Sequence, residues 1–306
     1  ERNIFKMINN IFCCIVCRNG NYEKTGKHPR DRIGSDIVIC KKCGHIQMFP
    51  LLSEEEFEEE YATDKTVRAV VGDETQGTDF DKMRVKFSEW TKQHVDLYWE
   101  KLQKHKHVLE LASGYGFFAE ELNKRKDKKF EIEGVEIGDF RLKNYVGGGV
   151  HNINFLKEDV PDDMKGKYDF IICMHLLEHL TEPVSYLQKI KPLLAEGGEV
   201  LFEVPNTYCF LAGLSPEYSD FIYLYEHVSY YHKDTLKMVF EMAGYNVKNV
   251  YTKEIYSIEN HIRWLREGKP FTKYNQMYLP DSRIEFINEE YKKAVGDMGK
   301  GYSLII

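Results

Sequence analysis

From His107 onward, short apolar stretches alternate with amphipathic ones, and this alternation restricts the fold more than any other feature of the sequence. His107-Val108-Leu109-Glu110-Leu111 reads as a buried strand, stopped by Ser113-Gly114-Tyr115-Gly116. A helix is expected to follow through about Asp127, with a second strand over Glu131 to Ile137 and a third over Asn152 to Lys157. Tyr168 to Met174 is nearly all apolar, as a parallel strand buried on both faces must be. Val184, Leu187, Ile190 and Leu194 mark one face of a helix that starts at Pro183 and ends before Gly197-Gly198. Glu199 to Val204 supplies a fifth strand, Asp234 to Met242 a helix closed by Gly244, Val247 to Glu254 a sixth strand and Tyr302 to Ile306 a seventh. Such alternation predicts an α/β fold with a doubly wound, Rossmann-like sheet of seven strands.

A different unit precedes it. Cys14-x2-Cys17 and Cys40-x2-Cys43 are two CxxC knuckles, separated by residues 18–39. Each knuckle sets two thiolates on one side of a tight turn, and two knuckles complete a tetrahedral S4 site for Zn²⁺. Gly44 directly after Cys43 suits the turn, and Cys13 is a looser alternative to Cys14. A closed four-thiolate site is structural, so the expectation is a small zinc-binding module over residues 1–60. The acidic run Glu54 to Glu60 ends it as a solvated helix face. Residues 61–104 read as a linker or lid, helical from about Asp81, where Met83, Phe87, Trp90, His94 and Tyr98 recur at helical spacing. The catalytic-type domain then runs over 105–306, with 251–300 as a cap insertion.

Composition narrows the partners. With 42 basic against 49 acidic residues the net charge is −7, the wrong sign for a general nucleic-acid binder. No apolar run approaches the ~18 residues needed to span a bilayer. Ile4 to Val16 is apolar enough to resemble a leader, but Lys6, Asn9 and Asn10 interrupt it. Seven cysteines, two CxxC pairs and no export signal argue for a reducing cytoplasm over a disulfide scaffold. The sequence gives no preference among oligomeric states.

The loop after the first strand is the natural ligand site, because open α/β sheets bind at the carboxyl ends of their strands. Gly114-x-Gly116-x-x-Ala119 also satisfies the dinucleotide fingerprint, so the glycines alone leave a nicotinamide cofactor and S-adenosylmethionine both open. Either would use an acid at the end of the second strand, here Glu136, to hold ribose hydroxyls. Two acids favour S-adenosylmethionine. Glu110 inside the strand end would repel a pyrophosphate but attract the cationic methionine end. Asp159 after the third strand can accept a hydrogen bond from an adenine amino group.

These segments resemble the class I S-adenosylmethionine-dependent methyltransferases. His107 to Gly116 is similar to their first motif, with Ala112 in place of the first glycine. Tyr168 to Leu180 resembles the fourth motif and its following Leu-Glu-His turn, and Leu193 to Leu201 the next helix end, glycine turn and strand. The resemblance covers about residues 105–250. It implies the class I seven-stranded sheet, with the last strand antiparallel, and a cofactor contacted at Glu110, Ala112, Gly114, Gly116, Glu136, Asp159, Met174 and His175. The cysteine head with Cys43-Gly44-His45-Ile46-Gln47 and Phe49-Pro50 is similar to zinc ribbons on methyltransferases of surface-sugar and secondary-metabolite pathways. That implies a small-molecule acceptor, such as a nucleotide-linked or polysaccharide sugar. Some of those enzymes carry an additional C-terminal domain for which this chain has no room, which counts against C-methylation of a keto-sugar.

Methyl transfer to a hydroxyl or carbon acid requires a base. Tyr225-Glu226-His227 places an acid beside a histidine, which can fix its tautomer. His227 is the expected base, Glu226 its orienting partner, and His179 of the Leu-Glu-His turn a further candidate; Tyr223, Tyr225 and Tyr230 would wall the pocket. Asn260 to Leu265 is expected to form a helix of the acceptor cap. Two other readings compete: a nicotinamide-dependent oxidoreductase, and a zinc-ribbon scaffold without activity. The acids at Glu110, Glu136 and Asp159 disfavour the second, since a dead site has no need of them.

Overall fold

The computed structural model describes residues 11–30, 34–51, 80–125, 129–269 and 282–306, without the side chains of 82, 86 and 282–284. The predicted acidic run and the part of the predicted linker before Phe80 lie outside the described residues.

Strands β1 (Tyr22–Lys24), β2 (Asp36–Cys40) and β3 (Ile46–Phe49) come first, then helix α1 (Phe80–Leu102). The alternating region follows as β4 (His107–Leu111), α2 (Phe117–Asn123), β5 (Glu131–Val135), α3 (Asp139–Lys143), β6 (Gly149–His151), β7 (Tyr168–Met174), α4 (Pro183–Ile190) and β8 (Leu194–Pro205). The remainder holds α5 (Phe210–Leu214), α6 (Pro216–Phe221), β9 (Ser229–Tyr230), α7 (Lys233–Met242), β10 (Tyr251–Lys253), α8 (Ile258–Glu267), α9 (Ser282–Asp297) and β11 (Ser303–Ile305).

Seven strands pair in the order β6-β5-β4-β7-β8-β11-β10. β4 is parallel to β5 and β7, and β5 to β6. β11 runs antiparallel to both neighbours, β8 and β10. This is the α/β methyltransferase arrangement, with the reversed strand where the sequence resemblance places it. The chain divides into two units, Leu52–Met174 with Ser185–Phe202, and Glu1–Leu51 with His175–Val184 and Glu203–Ile306.

In the first of these, Val108, Leu109 and Leu111 of β4 and Phe170, Ile171 and Ile172 of β7 are buried. Against them α2 buries Phe118, Ala119 and Leu122, and α4 buries Leu187 and Ile190. Each large apolar side chain so removed from water stabilises the layer by about 1.5–3 kcal/mol. In the second unit β1, β2, β3 and β9 form an antiparallel sheet, in which β9 pairs with β3 from far along the chain.

Four expectations move. The third strand is Gly149–His151, not Asn152 to Lys157. Asn154 takes that stretch into a turn: its carbonyl accepts the N–H groups of Lys157 and Glu158, and its side chain accepts that of Leu156. The α-helix expected to reach Leu194 stops at Ile190, because Pro192 has no N–H to continue it. Leu194 instead opens the fifth strand, five residues before the predicted Glu199 (199 − 194). The sixth strand shrinks to Tyr251–Lys253.

Candidate functional site

β4 ends in a loop of unusual backbone. Ala112 and Gly114 have φ of 51° and 57°, and Gly116, the N-cap of α2, has φ of 76°. The two glycines differ in what their missing side chains permit. A Cβ on Gly116 would lie 2.6 Å from the Tyr145 ring and from the Gly147 nitrogen, so packing alone demands glycine there. A Cβ on Gly114 would meet nothing within 4 Å. Its open side belongs to a cavity of about 220 Å³ that opens to solvent.

Glu110, Ala112, Gly114 and Met174 of the predicted set line this cavity, with Ser113, Tyr115 and Arg141. One wall comes from α1, through Met83, Thr91 and the aromatic Phe87 and Trp90. The sequence shows the helical spacing of Met83, Phe87 and Trp90 but assigns them no contact with a ligand. Glu110 is the chemically pointed member. It is 4% exposed, and Oε2 is buried with no hydrogen-bond partner. Burial, reinforced by the nearby Glu136, pushes its pKa up to about 8. A buried carboxyl with an idle oxygen fits a cationic or hydrogen-bond-donating group in the cavity.

Glu136 is buried beside the loop but does not line the cavity. Its Oε2 accepts the Gly114 N–H at 2.8 Å, and Oε1 accepts those of Ile137 and Gly138. Arg141 stands 3.6 Å away. Asp159 is exposed and faces Lys189 at 3.7 Å, away from the cavity lining.

The four cysteines converge. Cys14 and Cys43 sulfurs are 3.6 Å apart, those of Cys17 and Cys40 3.5 Å, and all four lie within 4.8 Å of one another. Thiolates bound at 2.3 Å to one tetrahedral Zn²⁺ would sit about 3.8 Å apart. Burial works against a Cys40 thiolate, but the amides of Cys43 and Lys42 and the neighbouring thiols bring it down to about 7. Cys13 is exposed, with its sulfur turned to the Cys14 carbonyl, and takes no part.

A second group stands on the segment after β7 and the segment before β9. Glu178, His179 and His227 bring ligand-type atoms within 4.8 Å of one another. His179 Nδ1 donates to the Glu226 carbonyl at 2.9 Å. The His179 and His227 rings meet edge to face at 4.8 Å. Burial, then His179, pushes the His227 pKa down to about 3, so the imidazole is neutral at physiological pH. His175, at a left-handed φ of 55°, holds Glu178 through Nδ1 at 3.2 Å. Burial opposes charge on both, yet their contact raises the His175 pKa and lowers that of Glu178. The carboxylate grouped with His227 is thus that of Glu178, which sequence reasoning passed over inside its Leu-Glu-His motif. Glu226 enters through its main-chain carbonyl. Tyr223 and Tyr230 stack edge to face at 4.9 Å nearby. Trp264 of α8 packs on Tyr218 and Phe221 at 5.0 and 4.9 Å, an ordinary core role.

Comparison with known proteins gives a family. A family model described as a methyltransferase domain matches residues 84–250, more than half of the chain. A ubiquinone biosynthesis O-methyltransferase of Acinetobacter baumannii (strain AYE) is 29% identical over 118 residues, 34% of this chain and 48% of that protein. One of Coxiella burnetii (strain Dugway 5J108-111) is 31% identical over 108 residues, 34% of this chain and 45% of that protein. The chain thus spans about half the length of the curated relatives it matches. Among solved structures, a SAM-dependent methyltransferase of Archaeoglobus fulgidus is 20% identical, with a TM-score of 0.48, covering 74% of this chain and 99% of that one. A possible histamine N-methyltransferase of Thermotoga maritima is 15% identical, with a TM-score of 0.48, covering 81% and 95%.

Proposed function

The chain belongs to the methyltransferase-domain family, and on that premise we propose that it transfers a methyl group from S-adenosylmethionine to a small-molecule acceptor. The observation that carries this reading is Glu110, whose idle, buried oxygen lines a cavity beside the open face of Gly114. The cofactor supplies an electrophilic methyl bound to a sulfonium. Glu110 faces its cationic methionine end, Trp90 and Phe87 supply an apolar wall, and Glu136 and Asp159 are the acids for its ribose and adenine. Gly116 lets the loop pack closely on Tyr145, Met174 lines the cavity at the end of β7, and His175 is kept as a cofactor contact on the sequence resemblance alone.

The acceptor's proton goes to His227, whose ring is neutral at physiological pH and whose basicity, lowered by burial, the Glu178 carboxylate raises. Glu178 and His179 hold that ring, and Glu226 fixes the His179 tautomer through its carbonyl. Cys14, Cys17, Cys40 and Cys43 hold one structural Zn²⁺ in a module spanning residues 1–60. Residues 61–104 act as linker and lid, and 251–300 as the acceptor-side cap of the domain beginning at 105. We place the acceptor among activated or surface-polysaccharide sugars, on the resemblance of the cysteine head, and the protein in the cytoplasm, on its odd cysteine count and two CxxC pairs. The names of the curated relatives favour oxygen as the methylated atom.

Calorimetry tests the cofactor directly. S-adenosylmethionine should bind with micromolar affinity and NAD should not; the reverse result would establish the oxidoreductase reading. Turnover with a panel of nucleotide-linked sugars and hydroxyl-bearing aromatics then separates the acceptor classes. A chain that binds the cofactor but methylates none of them would favour the inactive scaffold.

A further inference from the structure

The cysteine knuckles are built into the segment that carries His227. The knuckle closes on itself where the Cys40 N–H donates to the His45 carbonyl at 2.9 Å. Directly after it, β3 pairs with β9, setting Ile46 opposite Tyr230 and Gln47 opposite Ser229. The Met48 N–H donates to the Val228 carbonyl at 3.1 Å, and the Val228 N–H to the Glu178 carbonyl at 2.9 Å. Gly44, next to a metal-type cysteine, accepts from His232 Nε2 at 3.3 Å. His45 is fully buried, with Nε2 3.3 Å from the Ser229 hydroxyl and its ring 5.3 Å from that of Tyr231. Arg18, one residue past Cys17, pairs with Glu182, just beyond the Leu-Glu-His turn.

The contacts reach both segments that carry the Glu178, His179 and His227 group. They run from the knuckle to Val228, Ser229 and His232 on one segment, and to Glu182 on the segment bearing Glu178 and His179. Of these links, His45 is the one whose main chain closes the knuckle while its side chain grips the segment.

We propose that His45 is a positioning residue, through which the metal knuckle sets the placement of the Glu178, His179 and His227 group. The proposal rests on the reading that this group serves the acceptor. A metal commonly treated as a fastener for a small module thereby sets reaction geometry. Displacement of a reacting group by about 1 Å can cost on the order of 10²-fold in rate, whereas cofactor affinity has no reason to follow.

The test uses the full chain with its metal. His45→Ala should keep one zinc per chain and wild-type calorimetric affinity for S-adenosylmethionine. It should lose roughly 10–100-fold in kcat and speed amide hydrogen exchange over residues 226–232. His45→Gln, whose amide can still reach Ser229, should restore most of both. Ser229→Ala, at the far end of the same contact, should reproduce the exchange change if His45→Ala folds poorly. Wild-type exchange over 226–232 in both Ala variants overturns the proposal, as does a His45→Gln variant no better than His45→Ala. The exchange readout needs no acceptor, so it stands even if the proposed activity fails. Stripping the metal with a chelator should deprotect 226–232 while 107–116 stays protected; unchanged protection of 226–232 would show the knuckle to be uncoupled.

Discussion

The carboxylate of Glu136 accepts the main-chain N–H of Gly114 at 2.8 Å, which ties the end of the second parallel strand to the glycine loop after the first. Two further N–H groups, of Ile137 and Gly138, converge on its other oxygen. Glu136→Ala leaves three donors without their charged acceptor, and hydrogen bonds to charged groups contribute about 1.5–3 kcal/mol. The variant should therefore bind S-adenosylmethionine on the order of ten-fold or more weakly and melt at a lower temperature. Unchanged calorimetric affinity would remove Glu136 from the cofactor site.

Glu110 makes binding and stability depend on pH in opposite ways. Its folded pKa of about 8 lies above the ordinary 4.5, so between these values the folded state holds a proton that the unfolded state has released. Stability contributed by this group is present below about pH 4.5 and declines by about 1.4 kcal/mol per pH unit up to about 8. Urea midpoints across that window should show a falling component that is absent in Glu110→Gln. A cationic ligand favours the ionised form, so cofactor affinity should rise with pH toward 8. Binding heats in buffers of different ionisation enthalpy should report proton release, lost in Glu110→Gln.

Ala112 occupies a left-handed backbone position where the resembling motif has glycine. An L-residue there costs about 1–2 kcal/mol, against about 0.5–1 kcal/mol of extra chain entropy for glycine. Ala112→Gly should accordingly stabilise the protein by about 0.5–1 kcal/mol in urea denaturation. A loss of stability would mean that the Ala112 methyl contributes packing that outweighs the strain.

His227→Ala should reduce turnover by about 10²–10⁴-fold with cofactor affinity preserved. Because burial keeps the His227 pKa near 3, the wild-type kcat/KM profile should show no fall near pH 6.5 from this residue. Near-normal turnover in the variant would point to an acceptor acidic enough to need no base.

One Zn²⁺ per chain should co-purify, and Cys40→Ser with Cys43→Ser should abolish it in elemental analysis. Since metal binding supplies folding free energy to such modules, the double variant should also melt in two steps.

The parallel strands were legible because burial on both faces writes itself as an apolar run, as in Tyr168 to Met174. The glycine loop and the convergence of the four cysteines were legible because both are written as fixed residues at fixed spacing. β6 was not: three residues at a sheet edge, entered through Gly147, Gly148 and Gly149, carry no apolar pattern. Nor was β9, two residues whose strand identity comes wholly from pairing Gln47 with Ser229 across the chain. The aromatic cavity wall was visible only as helical spacing, since periodicity says which residues share a face and not what that face meets. Glu178 stayed hidden for a similar reason. Its partners His175 and His179 are local, but His227 reaches it only through the fold.

The wedging of β11 between β8 and β10 has a kinetic side. Leu304 pairs with Val204, 100 positions earlier in the chain (304 − 204), and with Thr252 on its other edge. Contacts of such separation form late, because the loop's closure entropy is lost before any pairing is gained. Until Ser303–Ile305 arrives, the Glu203–Pro205 end of β8 presents unpaired main-chain groups beside buried Leu201 and Phe202, a template for adhesion between chains. Folding intermediates should therefore be most vulnerable to aggregation while this one short strand is still missing from its slot.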